Sequence, residues 1–269
     1  MNERLVAIGG ARIAVRAVGR GPTVVLVPGL AGRGSFWQPL IRALQSEFRV
    51  VTYDHRGAGR SSCTDTRYSM HAMTADLLSV LDRCVAEPAV VIGHSTGGAI
   101  AQRVALARPE AVCQLVLGST WARPCDYFRE LFGLRLQILE TLGVAAYRRH
   151  SSLLMYPPRW LAQRQRLSSM RAARGGTALS RRILRRKLRA LLTHDVQDRL
   201  REIRCPTLVM VAADDVVTPP HLSEAIARGI RGARLAILPE GGHFVLHVDP
   251  MAYIAEIVSF LRRHAAARG

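Results

Sequence analysis

The chain is 269 residues long, which is enough for one large α/β domain or for one domain with an insertion. It carries 38 lysines and arginines against 20 acidic residues, a net charge of +18, but no zinc-finger, helix-turn-helix or RNA-recognition pattern accompanies that charge. No apolar run reaches the roughly 18–20 residues of a membrane span, and the N-terminus has no signal-peptide pattern. We therefore expect neither nucleic acid nor a membrane as partner, and leave a homodimer open.

The five cysteines are odd in number and scattered along the chain. They form no Cys-x-x-Cys pair, so neither a disulfide framework nor a zinc site is indicated. We interpret them as reduced packing residues and expect a cytoplasmic location. The cysteines are Cys63, Cys84, Cys113, Cys125 and Cys205.

The first part of the chain alternates between strands and helices. Apolar alternation around Gly9 and Gly10 predicts a β-hairpin, and the continuous apolar run 23–27 predicts a strand covered on both faces. Ser69 is a plausible N-cap for an amphipathic helix. Further strands are expected at 48–53, 90–92, 113–117, 207–213 and 234–238, and a closing helix at about 250–263. This alternation predicts an α/β fold with a doubly wound, mostly parallel sheet.

The alternation breaks at Trp121. From 121 to 199 the pattern is helical, interrupted by Pro157–Pro158 and Gly175–Gly176, and we interpret this segment as an inserted helical cap. Residues 1–120 and 200–269 then form the core. The cap holds 17 basic and 5 acidic side chains, and its arginine run 181–189 is interpreted as a solvated helix face, with attraction of an anionic group as the alternative.

The stretch 90–98, Val-Val-Ile-Gly-His-Ser-Thr-Gly-Gly, places a serine between two glycines. A β-branched apolar run precedes it, and a helical pattern of small residues follows it. Glycines at 93 and 97 fit a strand-to-helix turn that has no room for side chains. Ser95 is therefore predicted at the tip of this turn as a nucleophile.

A serine hydroxyl needs a neighbouring base, and the base needs an acceptor that fixes its tautomer. Asp214, Asp215 and His243 each follow a predicted strand, as Ser95 does. The carboxyl ends of parallel strands meet at one edge of a sheet, so these residues are expected to converge there. The pattern Asp-x-x-Thr-Pro favours Asp215 over Asp214 as the acidic member.

The order Ser, Asp, His is the order of the α/β-hydrolase fold superfamily, which this chain resembles over nearly its whole length. More narrowly, it resembles small cofactor-free hydrolases that include the aminoacrylate/carbamate hydrolases and the 3-oxoadipate enol-lactonases. Many relatives have His-Gly where this chain has Pro28-Gly29. The motifs that carry the resemblance are at 27–30, 53–61, 93–98, 215–219 and 241–243. The narrower match adds 29–37, Trp121, 156–160 and 203–206.

The resemblance implies a serine hydrolase that cleaves a small ester, lactone or carbamate-like bond. Ser95 would attack the carbonyl, His243 would move the proton, and Asp215 would orient His243. The backbone N–H groups of Leu30 and Thr96 would hold the oxyanion. No cofactor or metal is implied.

Other residues have both a functional and a structural interpretation. Trp37, Trp121 and Tyr156 are candidates to line a substrate pocket, with core or lid packing as the alternative. His94 is expected to pack beside the nucleophile or to shape the pocket. The stretch Asp54-His55-Arg56 is expected to tie a loop together rather than to act chemically.

Two alternatives to ester cleavage remain open. The same triad can hydrolyse a C–C bond or a thioester. A slow-hydrolysing receptor whose basic cap recruits a partner belongs to a different functional class.

Overall fold

The computed structural model describes residues 2–62, 68–163 and 180–265. One sheet of eight strands runs through this part of the chain in the order β1-β2-β4-β3-β5-β6-β7-β8. β2 pairs antiparallel with β1 and β4, and every other pairing is parallel. The strands are β1 (Asn2–Ile8), β2 (Ala11–Val18), β3 (Thr23–Val27), β4 (Arg49–Tyr53), β5 (Ala89–His94), β6 (Val112–Gly118), β7 (Thr207–Ala212) and β8 (Arg234–Leu238).

Helices cover both faces of the sheet. They are α1 (Gln38–Leu44), α2 (Met70–Cys84), α3 (Thr96–Ala107), α4 (Asp126–Met155), α5 (Pro158–Leu161), α6 (Arg181–Leu191), α7 (Pro220–Gly229), α8 (Val245–Val248) and α9 (Pro250–Ala265). Short 3₁₀ helices span Gly34–Trp37, Pro109–Ala111 and Gln197–Glu202. No helix of the described ranges combines the length and apolarity needed to cross a membrane.

The predicted sheet is confirmed, and its apolar strands contribute to one hydrophobic core on each face of the sheet. Every residue of β3, β5 and β7 is buried, because helices pack on both faces of these central strands. Successive side chains of a strand alternate between faces, so Val91 belongs to the layer of α2 and α3. Ile92 belongs to the opposite layer, with α1 and α9. The sheet thus delivers the ends of its parallel strands to one edge.

Several local predictions are also confirmed. The hairpin pairs β1 with β2 around Gly9 and Gly10, both of which have positive φ. The Ser69 side chain caps α2 by accepting a hydrogen bond from the N–H of Ala72 at 3.1 Å. Four cysteines are free thiols, and Cys63 lies outside the described residues.

We call residues 119–206 the β6–β7 segment; it contains α4, α5 and α6. The long helix α4 is interrupted at Gly143, where φ is 81° and ψ is −177°, a conformation that glycine adopts without steric cost. It ends at Met155 and α5 begins at Pro158, as the proline pair predicts; the predicted break at Gly175–Gly176 lies outside the described residues.

The prediction that 181–189 is a solvated face needs one correction. Arg181, Arg182, Arg185 and Arg189 are exposed, but Lys187 is fully buried. The Lys187 ammonium lies 5.8 Å from the centre of the Tyr68 ring, on the inner face of α6 beside its apolar residues.

Candidate active site

Ser95 occupies the sharp turn between β5 and α3. Its φ of 55° and ψ of −121° are rarely adopted by residues other than glycine, so the surrounding chain must hold this strained conformation. The Ser95 N–H donates to the carbonyl of Gly118 at 2.8 Å. The Thr120 hydroxyl donates to the carbonyl of Ser95 at 2.7 Å. These two bonds fix the turn from the neighbouring strand.

The flanking glycines are required by space. A Cβ at Gly93 would lie 2.7 Å from the Gly98 Cα, and nearer still to the Gly97 carbonyl. A Cβ at Gly97 would lie 2.7 Å from the carbonyl oxygen of Pro28. The two glycines therefore let α3 approach β5 and the loop after β3.

His243 and Asp215 complete a hydrogen-bonded chain from Ser95. The His243 Nε2 lies 3.0 Å from the Ser95 Oγ, and its Nδ1 lies 2.9 Å from the Asp215 Oδ2. All three side chains are buried, with exposed fractions of 8% or less. The structure thus brings together the three residues that the strand-end argument selects, although 148 positions separate Ser95 from His243.

The Asp215 carboxylate is held by its own turn as well as by His243. The N–H groups of Val217 and Thr218 donate to Oδ1 at 2.8 and 3.0 Å, and the Thr218 hydroxyl donates to Oδ2 at 2.9 Å. Burial raises the pKa of Asp215, but the charge of His243, its hydrogen bond and the hydrogen bonds from Thr218 outweigh this effect, so the pKa lies below its usual value. The carboxylate is therefore charged at neutral pH.

Asp214 has a different position. It is exposed at the backbone turn, and its Oδ1 accepts a hydrogen bond from the Gly242 N–H at 2.8 Å. Asp214 therefore ties down the loop that carries His243, whereas Asp215 contacts the imidazole itself.

The predicted oxyanion donors, Leu30 and Thr96, lie beside Ser95 along the wall of one cavity. Thr96 is the first residue of α3, where backbone N–H groups have no partner within the helix. Neither the Leu30 N–H nor the Thr96 N–H has a hydrogen-bond partner in the described part of the chain. Both are available to a negative charge that develops near the Ser95 hydroxyl.

The cavity has a volume of about 680 Å³ and lies between this edge of the sheet and the kinked helix α4. Tyr156 lines it and stacks on Trp160 with the ring centres 4.5 Å apart. Trp37 and Trp121 are fully buried and are not among its lining residues. Trp37 packs edge-on against Phe36, and Trp121 packs against Phe128, so both contribute to the core.

His94 forms part of the wall directly behind the imidazole of His243. The two ring centres are 4.9 Å apart, and Phe36 stacks on His94 at 4.7 Å. Burial, and then the charges of His243 and His247, lower the pKa of His94 well below its usual range. His94 is therefore neutral and packs the pocket wall.

The loop after β4 is held together by ion pairs. The Asp54 carboxylate accepts hydrogen bonds from the N–H groups of Gly34 and Arg60 and pairs with Arg16. Arg56 pairs with Asp76, with 2.7 Å between Nε and Oδ2. His55 packs against Tyr53, and burial, followed by the charge of Lys187, lowers its pKa well below the usual value.

No group of three or more His, Cys, Asp or Glu side chains within residues 2–62, 68–163 and 180–265 is arranged to hold a metal ion. The groups gathered around Ser95 are a hydroxyl, an imidazole, a carboxylate and backbone N–H donors.

Comparison with known proteins identifies the family. The sequence model described as alpha/beta hydrolase fold matches residues 22–250, most of the chain. The chain belongs to the alpha/beta hydrolase fold family.

Relatives of this alpha/beta hydrolase are named as hydrolases. A protein from Caulobacter sp. (strain K31), named "Putative carbamate hydrolase RutD", is 39% identical over 246 residues, which cover 91% of this chain and 92% of that protein. A hydrolase from Pseudomonas aeruginosa PA01, whose crystal structure is known, is 30% identical in sequence, with a TM-score of 0.84 over 97% of this chain and 98% of that one. The enol-lactonase from Burkholderia xenovorans LB400 is 24% identical, with a TM-score of 0.87 over 96% of this chain and 100% of that one, and shows the shared fold. These matches support the assignment of this chain as a hydrolase.

In this alpha/beta hydrolase the β6–β7 segment is bonded to both loops that carry triad candidates. The Tyr127 hydroxyl, near the start of α4, donates to the carbonyl of Val216 at 2.6 Å. At the end of α4, the carbonyl of Met155 accepts a hydrogen bond from the Phe244 N–H at 2.9 Å. Each contact is made one residue after Asp215 or His243.

Two features of this alpha/beta hydrolase site are not among the sequence predictions. Thr218 supports Asp215, and the threonine of the Asp-x-x-Thr-Pro pattern is the signal that could have pointed to it. Arg135 lines the cavity from α4, and no local pattern distinguishes it from the many other arginines of the chain.

Proposed function

We propose that this protein is a serine hydrolase that cleaves a small ester, lactone or carbamate-like substrate through an acyl-enzyme. The observation that carries the proposal is the continuous hydrogen-bonded chain from the Ser95 Oγ through His243 to Asp215, with distances of 3.0 and 2.9 Å. Such a chain converts a weakly nucleophilic hydroxyl into one whose proton has a base within reach.

In the proposed reaction, the Ser95 Oγ attacks the substrate carbonyl carbon while His243 Nε2 accepts the hydroxyl proton. The negative charge on the carbonyl oxygen is held by the N–H groups of Leu30 and Thr96, each worth roughly 2.7–4 kcal/mol of barrier. The tetrahedral intermediate collapses, and the imidazolium gives its proton to the departing alcohol or amine. Water then attacks the acyl-enzyme with His243 as base, which releases the acid and restores Ser95.

The roles of the neighbouring residues follow from their contacts. Asp215 holds the Nδ1 proton of His243 and stabilises the imidazolium, and its own charge is secured by Thr218. Tyr156 supplies apolar surface to the cavity wall. Trp37 and Trp121 have no place in the proposed site, because neither lines the cavity.

The proposal is tested with Ser95→Ala. The variant should lose turnover of p-nitrophenyl acetate and butyrate by at least about 10³-fold, because the nucleophile is removed while the fold stays intact. A fluorophosphonate probe should label Ser95 in the natural protein, and peptide mapping should find the adduct there.

The matched control is Ser119→Ala. Ser119 is the second described residue other than glycine with positive φ, follows the neighbouring strand β6, and lies outside the cavity lining. This variant should retain turnover. Full activity in Ser95→Ala, or labelling at another serine, would overturn the proposal. A substrate panel that includes thioesters and β-diketones separates ester cleavage from thioester and C–C hydrolysis by the same triad.

A further inference from the structure

Arg135 is a buried cation in the wall of the cavity that Ser95 faces. It lies in the first half of α4, and only 3% of its surface is exposed. A buried guanidinium is costly unless a negative charge or a full set of acceptors compensates it. The identity of its acceptors therefore bears on what the cavity binds.

The partners of Arg135 in the protein are neutral. Its Nη2 donates to the Tyr147 hydroxyl at 2.8 Å and to the Ser151 Oγ at 3.1 Å. Its guanidinium carbon lies 4.7 Å from the centre of the Phe132 ring and 5.2 Å from that of Tyr147. The Nε has no hydrogen-bond partner in the described part of the chain. The guanidinium is thus packed and oriented, but its charge is not neutralised by these contacts.

The other buried arginine of the described ranges shows the contrast. Arg56 is 6% exposed and forms a two-point ion pair with the carboxylate of Asp76. No described carboxylate makes an ion pair with Arg135. The part of the β6–β7 segment that the structure does not describe, 164–179, contains no aspartate or glutamate in its sequence.

Among the residues that the structure describes, the rest of the cavity wall adds positive charge and no negative charge. Its lining includes Arg33, Arg135, Arg148 and Arg149, and not one aspartate or glutamate. Arg148 and Arg149 are exposed, whereas Arg135 lies deep beside Tyr147. Because the Tyr147 hydroxyl accepts its bond from Arg135, its own proton remains available to another acceptor.

The geometry points to Arg135 as the carboxylate-binding residue of this site. The substrate then carries a carboxylate in addition to the bond that Ser95 attacks. This inference rests on the proposed function, because it assigns a substrate class to the same cavity. The planar guanidinium presents N–H groups in the geometry that a carboxylate matches, and bonds of this kind are about twice as strong as neutral ones. A carboxylate there would neutralise a charge that the described protein contacts leave uncompensated.

A purely structural role for Arg135 makes a different prediction. Arg135 precedes the break at Gly143, whereas Tyr147 and Ser151 follow it, so the arginine also joins the two halves of α4. A residue that only joins the halves affects every substrate alike. A carboxylate-binding residue changes the preference between an anionic and a neutral substrate of the same shape.

The test uses monoethyl glutarate and ethyl 5-methylhexanoate, in which a neutral isopropyl group replaces the carboxylate. The measured quantity is the ratio of their kcat/KM values. Arg135→Met should lower this ratio 10- to 100-fold, because charge-assisted hydrogen bonds to the carboxylate are lost. Arg135→Lys should give an intermediate ratio, since it keeps the charge and loses the planar fork. The matched control, Arg129→Met, changes an exposed arginine of α4 outside the cavity lining and should keep the natural ratio.

Binding is measured separately from turnover. Monoethyl glutarate should bind the Ser95→Ala protein by isothermal titration calorimetry, and adding Arg135→Met should weaken that binding at least tenfold, with a smaller loss for Arg135→Lys. Equal losses on both esters, or undiminished binding after the Arg135 substitution, would overturn the inference. No measurable binding of monoethyl glutarate to Ser95→Ala would do so too. Failure of the proposed function looks different: Ser95→Ala would then hydrolyse esters as fast as the natural protein.

Discussion

Gly97, the second residue of α3, lies against the backbone of the loop that follows β3. A methyl group there would lie 2.7 Å from the carbonyl oxygen of Pro28 and nearer still to that of Val27, the last residue of β3, whereas ordinary contacts begin at 3.4 Å. In Gly97→Ala, the helix, or the end of β3 with its loop, must therefore move by more than about 0.7 Å. Leu30 follows in that loop and Thr96 begins the helix, so the shift changes the distance between the two proposed oxyanion donors.

Oxyanion donors act over a range of roughly 2.7–3.1 Å, so a displacement of this size removes one of the two bonds. The expected result is a fall in kcat of about 10²–10³-fold on p-nitrophenyl butyrate. Thermal unfolding followed by circular dichroism should show a cooperative transition, and a fluorophosphonate should still label Ser95 stoichiometrically, though more slowly.

The control for this substitution is Gly133→Ala. Gly133 lies in α4, is exposed, and has no atom within 4 Å of the position that a Cβ would take. This variant should keep the natural kcat and gain up to about 1 kcal/mol in free energy of unfolding, because alanine favours the helix over glycine. A natural kcat in Gly97→Ala would refute the assignment of Leu30 and Thr96 as oxyanion donors.

Three further predictions concern the triad, acid stability and a buried ion pair. Asp215→Asn should lower kcat by about 10⁴-fold, because an amide cannot fix the required His243 tautomer; a loss below tenfold on p-nitrophenyl butyrate would contradict the proposed role. His194 is fully buried, and burial, followed by the charge of Arg103, lowers its pKa to about 3. Below pH 6.5 the unfolded chain therefore binds more protons at this residue than the folded protein does, so stability falls as the pH falls. Between pH 8 and pH 5, the free energy of unfolding of His194→Leu, measured with urea, should therefore fall by about 2 kcal/mol less than that of the natural protein. Parallel pH dependences of the two proteins would disprove this. Asp76→Asn leaves Arg56 buried without its counter-ion and should reduce the free energy of unfolding by about 3–5 kcal/mol; a urea-derived loss under 1 kcal/mol would argue against the pair.

The sequence predicts the fold and the position of the triad candidates because both depend on local patterns. Continuous apolar runs such as 23–27 indicate buried parallel strands, and a parallel sheet brings the residues after its strands to one edge. Ser95 and His243 could therefore be placed together without knowledge of the loops between them. Glycine is required at 93 and 97 for a purely steric reason, which the sequence pattern already indicates.

The environment of Arg135 could not be predicted in this way. Tyr147 and Ser151 follow Arg135 by 12 and 16 positions, which in a straight helix places them roughly 18 and 24 Å away. They meet the guanidinium because the helix breaks at Gly143 and changes direction. A lone glycine within a helical pattern does not reveal its φ, so neither the break nor the burial of Arg135 follows from the pattern.

Residue type alone also does not determine whether a side chain faces the cavity, the core or the solvent. Trp37 and Trp121 are large aromatic residues near the site in sequence, but the side chains around them bury both in the core. Lys187 lies within an arginine-rich run, but its position on the helix turns it towards Tyr68. These outcomes depend on contacts between distant parts of the chain.

The two hydrogen bonds from α4 to Val216 and Phe244 have a mechanical consequence. If the helix swings away to admit a substrate, the bonds from Tyr127 and to Met155 must stretch, and each lies one residue from Asp215 or His243. Any such opening would therefore pull on the loops of Asp215 and His243 together, and the return of the helix would restore both loops to their places. In the proposed hydrolase, substrate entry and the position of the His243 imidazole would thus be coupled through the backbone.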